Sequence, residues 1–407
     1  MKFSKLSQLF LVSAIGLMLA TFLTACQLVT LDFLFVAASA GNSAGSQGQI
    51  YAYAVDGESG ALRTADPAVS SGGTLPVSMA VTSDYANLYV ANAGNDSVVH
   101  FSVADSGVLT QKDAITLAGT PVHLAVSPAN NYLFVVSQTT SAATTIATLT
   151  EYSLSSGTIG SAAAITLTVP GYTTDSMVPT AVTVLANSDA VYATAYDQSA
   201  YNPGGSTTSN ANPGWVFGYA IGSGGALTPV SGSPYQAGVK PSAVTSDPTS
   251  RFIFATDFAS NELIGYTVQS SDSLNFLING PFKTGNEPSA ITIDPRGIFI
   301  YLANSLDSTV SAYSIALPTG TPSTVISSSG PSANTTDTQP VSILVDPALG
   351  RYVYTANHLG NTVSGFRLNS SNGSLTLTQA TPYPTGSNPT AIIAVPHGNH
   401  GVEVVTP

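Results

Sequence analysis

A proline followed by a short apolar stretch recurs seven times, at Pro76, Pro121, Pro179, Pro241, Pro288, Pro340 and Pro389, with spacings of 45, 58, 62, 47, 52 and 49 residues. A unit repeated at such a period is a supersecondary module that buries its apolar faces against its neighbours. Each copy reads alike. The first stretch is PVSMAV, PVHLAV, PTAVTV, PSAVTS, PSAITI, PVSILV or PTAIIA. A turn leads to a second, as in LYVANAG from Leu88, FIFATDF from Phe252 and VYTANHL from Val353. A third alternates about an aromatic residue, as in IYAYAV from Ile50, LIGYTV from Leu263 and VSGFRL from Val363. Period-two alternation in runs rich in Val, Ile, Tyr and Phe marks strands, and pairs such as Asn372-Gly373 mark turns. A weaker fourth strand leads to the next proline.

Four-stranded modules repeating without helical segments predict an all-β, seven-bladed β-propeller. A β-helix, with coils of about 20 residues, does not fit this period. The chain opens on a strand of the second type, FLFVAAS from Phe33, and its last proline opens a strand of the first type. The C-terminal strand is therefore expected to join the N-terminal blade as its innermost strand and close the ring. Residues 401–407, GVEVVTP, resemble another second-type strand and compete with FLFVAAS for the second place in that blade.

Ahead of the repeats, Lys2 and Lys5 precede an apolar stretch over residues 9–23, which ends in Leu23-Thr24-Ala25-Cys26. That is the layout of an export signal. Its ending resembles the bacterial lipobox, which implies that Cys26, the only cysteine, is acylated and becomes the new N-terminus. The alternative is an uncleaved membrane-spanning helix. The expected organisation is a signal over 1–26, a tether over 27–32 reaching at most about 20 Å, and the propeller over 33–407. Gln27 favours sorting to the outer membrane, so the folded part is expected at the periplasmic or extracellular face.

Charge narrows the partners. Only 8% of residues are Asp, Glu, Lys or Arg, and loss of Lys2 and Lys5 takes the net charge from −12 to −14. A chain this acidic is a poor ligand for nucleic acid.

LYVANAGNDSV from Leu88, IYLANSLDSTV from Ile300 and VYTANHLGNTV from Val353 resemble the YVTN-type propeller repeat. SPANNYLF, DPTSRFIF, DPRGIFIY and DPALGRYVY resemble Asp-Pro-x-Gly-Arg hairpins. Together they are similar to the lactonase family of seven-bladed propellers, which includes 6-phosphogluconolactonases and carboxymuconate cyclases. The resemblance implies a hydrolytic site at the central channel. Enzymes of this family open one inner strand with Pro-His-x-His; here Pro121-Val122-His123-Leu124 carries a single histidine, two residues after the proline.

In a propeller, the loops between second and third strands and those leading into the first share the face that holds the central site. They carry Asn95, Asp96, His123, Asp175, Asp197, Lys240, Asp257, Glu287, Asp307, Asp337, His358 and Asn361. Opening a lactone needs a base to activate water and a donor for the oxygen that becomes charged. His123 and Glu287 are the candidate bases, and His358 and Lys240 the candidate donors. Each also has a structural reading, as a turn cap or a packed side chain. Phosphate recognition requires convergent Arg or Lys. Only Lys240 lies on that face, which argues against a phosphorylated substrate. Arg251, Arg296 and Arg351 fall in hairpins on the opposite face, where pairing with Asp247, Asp294 and Asp346 is expected.

No cofactor is evident. Channel oxygens could hold Ca²⁺, but no loop shows ligand spacing, and His397 and His400 form at most a weak metal pair. The long loop 197–215 carries Tyr201 and Trp215, which suit a protein or glycan partner; Trp215 could instead pack between blades. Ser/Thr-rich stretches at 139–148 and 318–338 read as exposed loops. Two functions follow: a lipid-anchored envelope enzyme acting on an unphosphorylated lactone or small ester, or a non-catalytic propeller that binds a partner.

Overall fold

The computed structural model describes residues 29–39, 46–142, 144–174, 176–201, 212–325 and 334–398. The expected signal with Cys26, together with Asp175, His400 and the 401–407 stretch, lies outside them. Seven antiparallel sheets form seven blades around a channel. The innermost strand of blades 2 to 7 opens at or next to each proline of the repeat: Pro76–Val81, Thr120–Val126, Met177–Val184, Pro241–Ser246, Pro288–Ile293 and Pro340–Val345. Proline, which lacks an N–H, fits here because the channel side of the strand has no ladder partner.

Blade 1 is composite. Thr30–Ala38 pairs with Gln49–Asp56 on one side and with the C-terminal Pro389–Pro396 on the other. The C-terminal strand is innermost, as expected, and FLFVAAS holds the second place. The strand begins at Thr30, inside the stretch expected to be tether.

Aromatic alternation in the strands becomes a system of ties between blades. In second strands, Tyr89 donates to Gly157 O (2.6 Å), Tyr301 to Gly373 O (2.9 Å) and Tyr354 to Gly60 O (2.7 Å), each reaching the following blade. Third-strand tyrosines reach back: Tyr53 donates to Pro384 O (2.9 Å) and Tyr313 to Lys283 O (2.5 Å). A buried tyrosine keeps its ring in the core only if its hydroxyl finds a partner, and the adjacent turn supplies one.

At the base of the ring, Asp247, Asp294 and Asp346 are fully buried and gather backbone N–H groups of their hairpins. Arg251 and Arg296 pair with Asp247 and Asp294, both at 2.8 Å. The third expected pair is not made by side chains: Asp346 takes the main-chain N–H of Arg351, whose side chain is exposed.

The Ser/Thr run at 139–148 is a strand hairpin rather than a loop. Tyr132–Ser141 and Thr144–Ser155 pair to their tips and extend blade 3 above its neighbours. Of the 318–338 stretch, Thr321–Thr324 is the outer strand of blade 6.

Candidate functional site

The inner strands open at one end of the ring, here called the mouth, and line a cavity of about 300 Å³. Every inner strand contributes one polar side chain just after its proline, and in six of the seven it follows one of two patterns. In blades 1, 5 and 6 the residue after proline is Ser or Thr, and its hydroxyl donates to the proline carbonyl of the next blade: Thr390 to Pro76 O (2.6 Å), Ser242 to Pro288 O (2.5 Å) and Ser289 to Pro340 O (2.7 Å). In blades 2, 3 and 7 the second residue after proline accepts instead. Ser78 Oγ takes Leu124 N–H (3.3 Å), His123 Nδ1 takes Val182 N–H (3.4 Å) and Ser342 Oγ takes Ile392 N–H (3.2 Å). Six of the seven seams are thus stitched at the channel wall. In blade 4, Thr180 bonds Thr194 of its own blade at 2.8 Å.

His123 therefore stands where blades 2 and 7 use serine. Because Nδ1 accepts, the ring proton is on Nε2, on the channel side. The ring borders the cavity yet lies deep within the fold. Burial pushes its pKa down to about 4.

Most acidic candidates at the mouth are committed to holding loops. Asp257 accepts from Val239 N (2.7 Å) and Lys240 N (2.9 Å), and Asp307 from Asn286 N (2.7 Å). Asp337 accepts from Thr338 N (2.7 Å) and Thr362 Oγ1 (2.9 Å), and Asp197 from Tyr172 OH (2.7 Å). Burial works to raise Asp197 and Asp337, but the hydroxyl and amide donors around them outweigh it and hold both below the usual carboxylate range. Asn95 accepts Thr74 N–H (2.9 Å), Asn361 accepts Asn388 N–H (2.7 Å) and Asp96 turns the chain at φ 48°. His358 donates from Nδ1 to Pro389 O (3.1 Å), tying blade 7 to the closing strand. Each of these residues serves its loop in the way a loop residue ordinarily does, Asp96 through its backbone and the others through their side chains.

Lys240 and Glu287 are different. They immediately precede the prolines of blades 5 and 6, at the mouth. The ammonium of Lys240 lies over three rings, 4.5 Å from the centroid of Phe258, 5.1 Å from Tyr201 and 5.7 Å from Tyr196. Burial lowers its pKa, and the charge of Glu287 partly restores it. Glu287 is held by its backbone: its N–H donates to Asn261 Oδ1 (2.8 Å) and its carbonyl receives Ser305 N–H (2.9 Å). Its carboxylate has only a 3.5 Å contact with Ser305 Oγ. Glu287 sits at φ 53°, as do Leu75 at 52°, Gln339 at 59° and Asn388 at 52° before their prolines. Left-handed backbone ahead of proline costs about 1–3 kcal/mol per residue and tends to gather at functional sites.

The structure does not join all four candidates. Lys240 and Glu287 both stand at the mouth, near enough for the charge of Glu287 to act on the ammonium but without an ion pair among the described residues; His123 lines the channel, and His358 belongs to a seam. Tyr201 is in the cage. Trp215 is 2% exposed and packs against Tyr172 with ring centroids 5.0 Å apart and planes tilted by 58°, so it fills the seam between blades 3 and 4 and offers no surface to a partner. Tyr196, at the start of the long loop, stood with Tyr201 among the aromatics that suit binding; sequence reading missed Phe258 as a cage wall and Ser78 and Ser342 as channel groups, and their repeated places beside the loops and prolines were the available signal. Among the described residues no three His, Cys, Asp or Glu side chains converge as a metal site.

The fold resembles that of a periplasmic gluconolactonase from Pseudomonas aeruginosa, at 16% identity and TM-score 0.70, covering 91% of this chain and 100% of that one. A Bacteroides fragilis protein provisionally described as a 6-phosphogluconolactonase matches at 16% identity and TM-score 0.71, covering 91% and 99%. No curated protein matches the chain. The family described as lactonase, seven-bladed β-propeller, matches residues 76–164 and 228–400. The gap between them spans most of blade 4, including Tyr196 and Tyr201. With more than half of the chain matched and the seven blades in place, the protein belongs to this lactonase propeller family.

Proposed function

We propose that the protein hydrolyses an unphosphorylated lactone or similar small ester at the mouth of its channel. The observation that carries this reading is the placement of Lys240, over three aromatic rings, and of Glu287, whose carboxylate has only a long contact with Ser305 among the described residues, each just ahead of a proline at the mouth; they make no ion pair there, but the charge of Glu287 acts on the ammonium. Glu287 removes a proton from water as the water oxygen attacks the carbonyl carbon. Lys240 faces the oxygen that gains charge, and its aromatic walls keep water from screening it. The ring C–O bond then breaks and its oxygen takes up a proton, giving a hydroxy acid. A single cation at the mouth suits a substrate without phosphate.

The test is pH-stat hydrolysis of a lactone panel by residues 27–407, with 6-phosphogluconolactone included and with and without Ca²⁺. Turnover above the uncatalysed rate, reduced at least a hundredfold in Glu287→Gln and Lys240→Met, supports the reading. A flat panel overturns it.

A second reading, a non-catalytic propeller that binds an envelope protein or glycan, draws on Leu75, Leu306 and Leu359, which are 53%, 64% and 58% exposed on mouth loops. Loss of partner capture on deleting residues 197–213 or on changing Leu306 and Leu359 to Ser would favour it.

Anchorage to the membrane through an acylated Cys26, with the outer membrane favoured, completes the proposal. The described chain begins at the base, where Val29 O accepts Gly57 N–H (2.8 Å). An anchor there directs the mouth away from the lipid. Retention of Cys26→Ala in membranes would overturn the anchor.

A further inference from the structure

The girdle of hydrogen bonds around the channel uses up protons unevenly. Thr390, Ser242 and Ser289 each spend their hydroxyl proton on the next blade. Ser78, His123 and Ser342 accept a main-chain N–H and so keep theirs: two hydroxyl protons and one imidazole Nε2–H. None of the three meets an acceptor among the described residues, and all three line the same cavity of about 300 Å³.

The rest of the lining sharpens what could fill it. It consists of small hydroxyl residues and apolar side chains such as Met79, Ile291 and Ile343, with no Asp, Glu, Lys or Arg. A cation finds no carboxylate there, and of the three positions only the two serine oxygens keep a lone pair, whereas all three keep a proton to give. A carboxylate is all acceptor, and hydrogen bonds to an ionised acceptor are stronger than neutral ones. The volume admits only a small molecule.

We infer that the central channel holds a binding site for a small carboxylate, formed by the unspent donors of Ser78, His123 and Ser342. The site is separate from the mouth pair and stands whether or not the protein hydrolyses lactones. No other titratable side chain lines the cavity, so His123 is the proton-linked element: an anion in the channel favours its charged ring, and binding tightens as pH falls.

Acetate is the probe, added to the full chain while the His123 ring is followed by NMR and assigned with His123→Gln; sodium chloride at matched ionic strength is the control. Acetate is expected to raise the His123 midpoint saturably, by a unit or more, while chloride leaves it in place. Ser78→Ala and Ser342→Ala should each weaken acetate at least tenfold, with Ser342→Thr, which keeps the hydroxyl, restoring it. Equal shifts from both salts, a shift that does not saturate, or alanine variants that bind as tightly would overturn the site. Should an alanine variant fail to fold, the wild-type comparison of the two salts decides the matter alone.

Discussion

Nδ1 of His123 accepts the main-chain N–H of Val182 on the neighbouring inner strand, at 3.4 Å. A histidine in this place makes one seam of the ring sensitive to acid. Folded His123 has its pKa lowered to about 4, whereas an unfolded chain titrates near 6.5. Between those values the unfolded state binds more protons, so stability falls as pH drops from about 6.5 to about 4, by up to about 3 kcal/mol. His123→Ser keeps an acceptor and should abolish that slope; denaturant melts from pH 7 to pH 4 measure it.

Asp32 should produce a slope of opposite sense. It is fully buried, neither oxygen has a partner of good hydrogen-bond geometry among the described residues, and burial together with the nearby Asp346 outweighs the Ala348 amide and raises its pKa well above the carboxylate range. The folded state holds the proton more tightly, so this contribution is complete at acid pH and is lost as pH rises through the folded pKa. Asp32→Asn is expected to melt higher than wild type at pH 8 and to converge with it near pH 4.

Trp215 provides a check on its assigned place. Truncation to Ala in a filled seam should cost about 3–5 kcal/mol. A surface residue would change stability by less than about 0.5 kcal/mol. Chemical denaturation separates the two.

For Lys240, removing a wall of the cage should relieve burial. Phe258→Ala is expected to raise the amine pKa toward the ordinary lysine value, read from the ¹³C shifts of reductively methylated lysines; an unchanged titration would deny Phe258 its role.

The blades were legible because each carries its own pattern. Proline opens a strand with no partner on its channel side, aromatic alternation marks the next ones, and the count of seven follows. Ring closure was also readable, since a first-type strand remained at Pro389 and a first-type place remained empty in blade 1. The blade 3 hairpin was not, because Thr139 and Thr140 have the composition of a loop and pair only through tertiary context. The mouth was legible in outline: Lys240 and Glu287 stood among the candidates. Sequence could not separate them from Asp257 or Asp307, since nothing in a carboxylate's identity tells which backbone amides will claim it. The cage was hidden for a different reason. Tyr196 and Tyr201 belong to blade 4 and Lys240 and Phe258 to blade 5, and they meet only when those blades stack.

The strand that completes blade 1 lies some 350 residues downstream of its partner, since Asp32 stands opposite Pro396 and Phe33 opposite Val395. During synthesis the first blade therefore has to wait for the last. Until Pro389–Pro396 emerges, Thr30–Ala38 exposes an unpaired apolar edge, and the ring stays open. Under the export proposed above, that delay would be an advantage: the circle could lock only after the whole polypeptide had arrived on the far side.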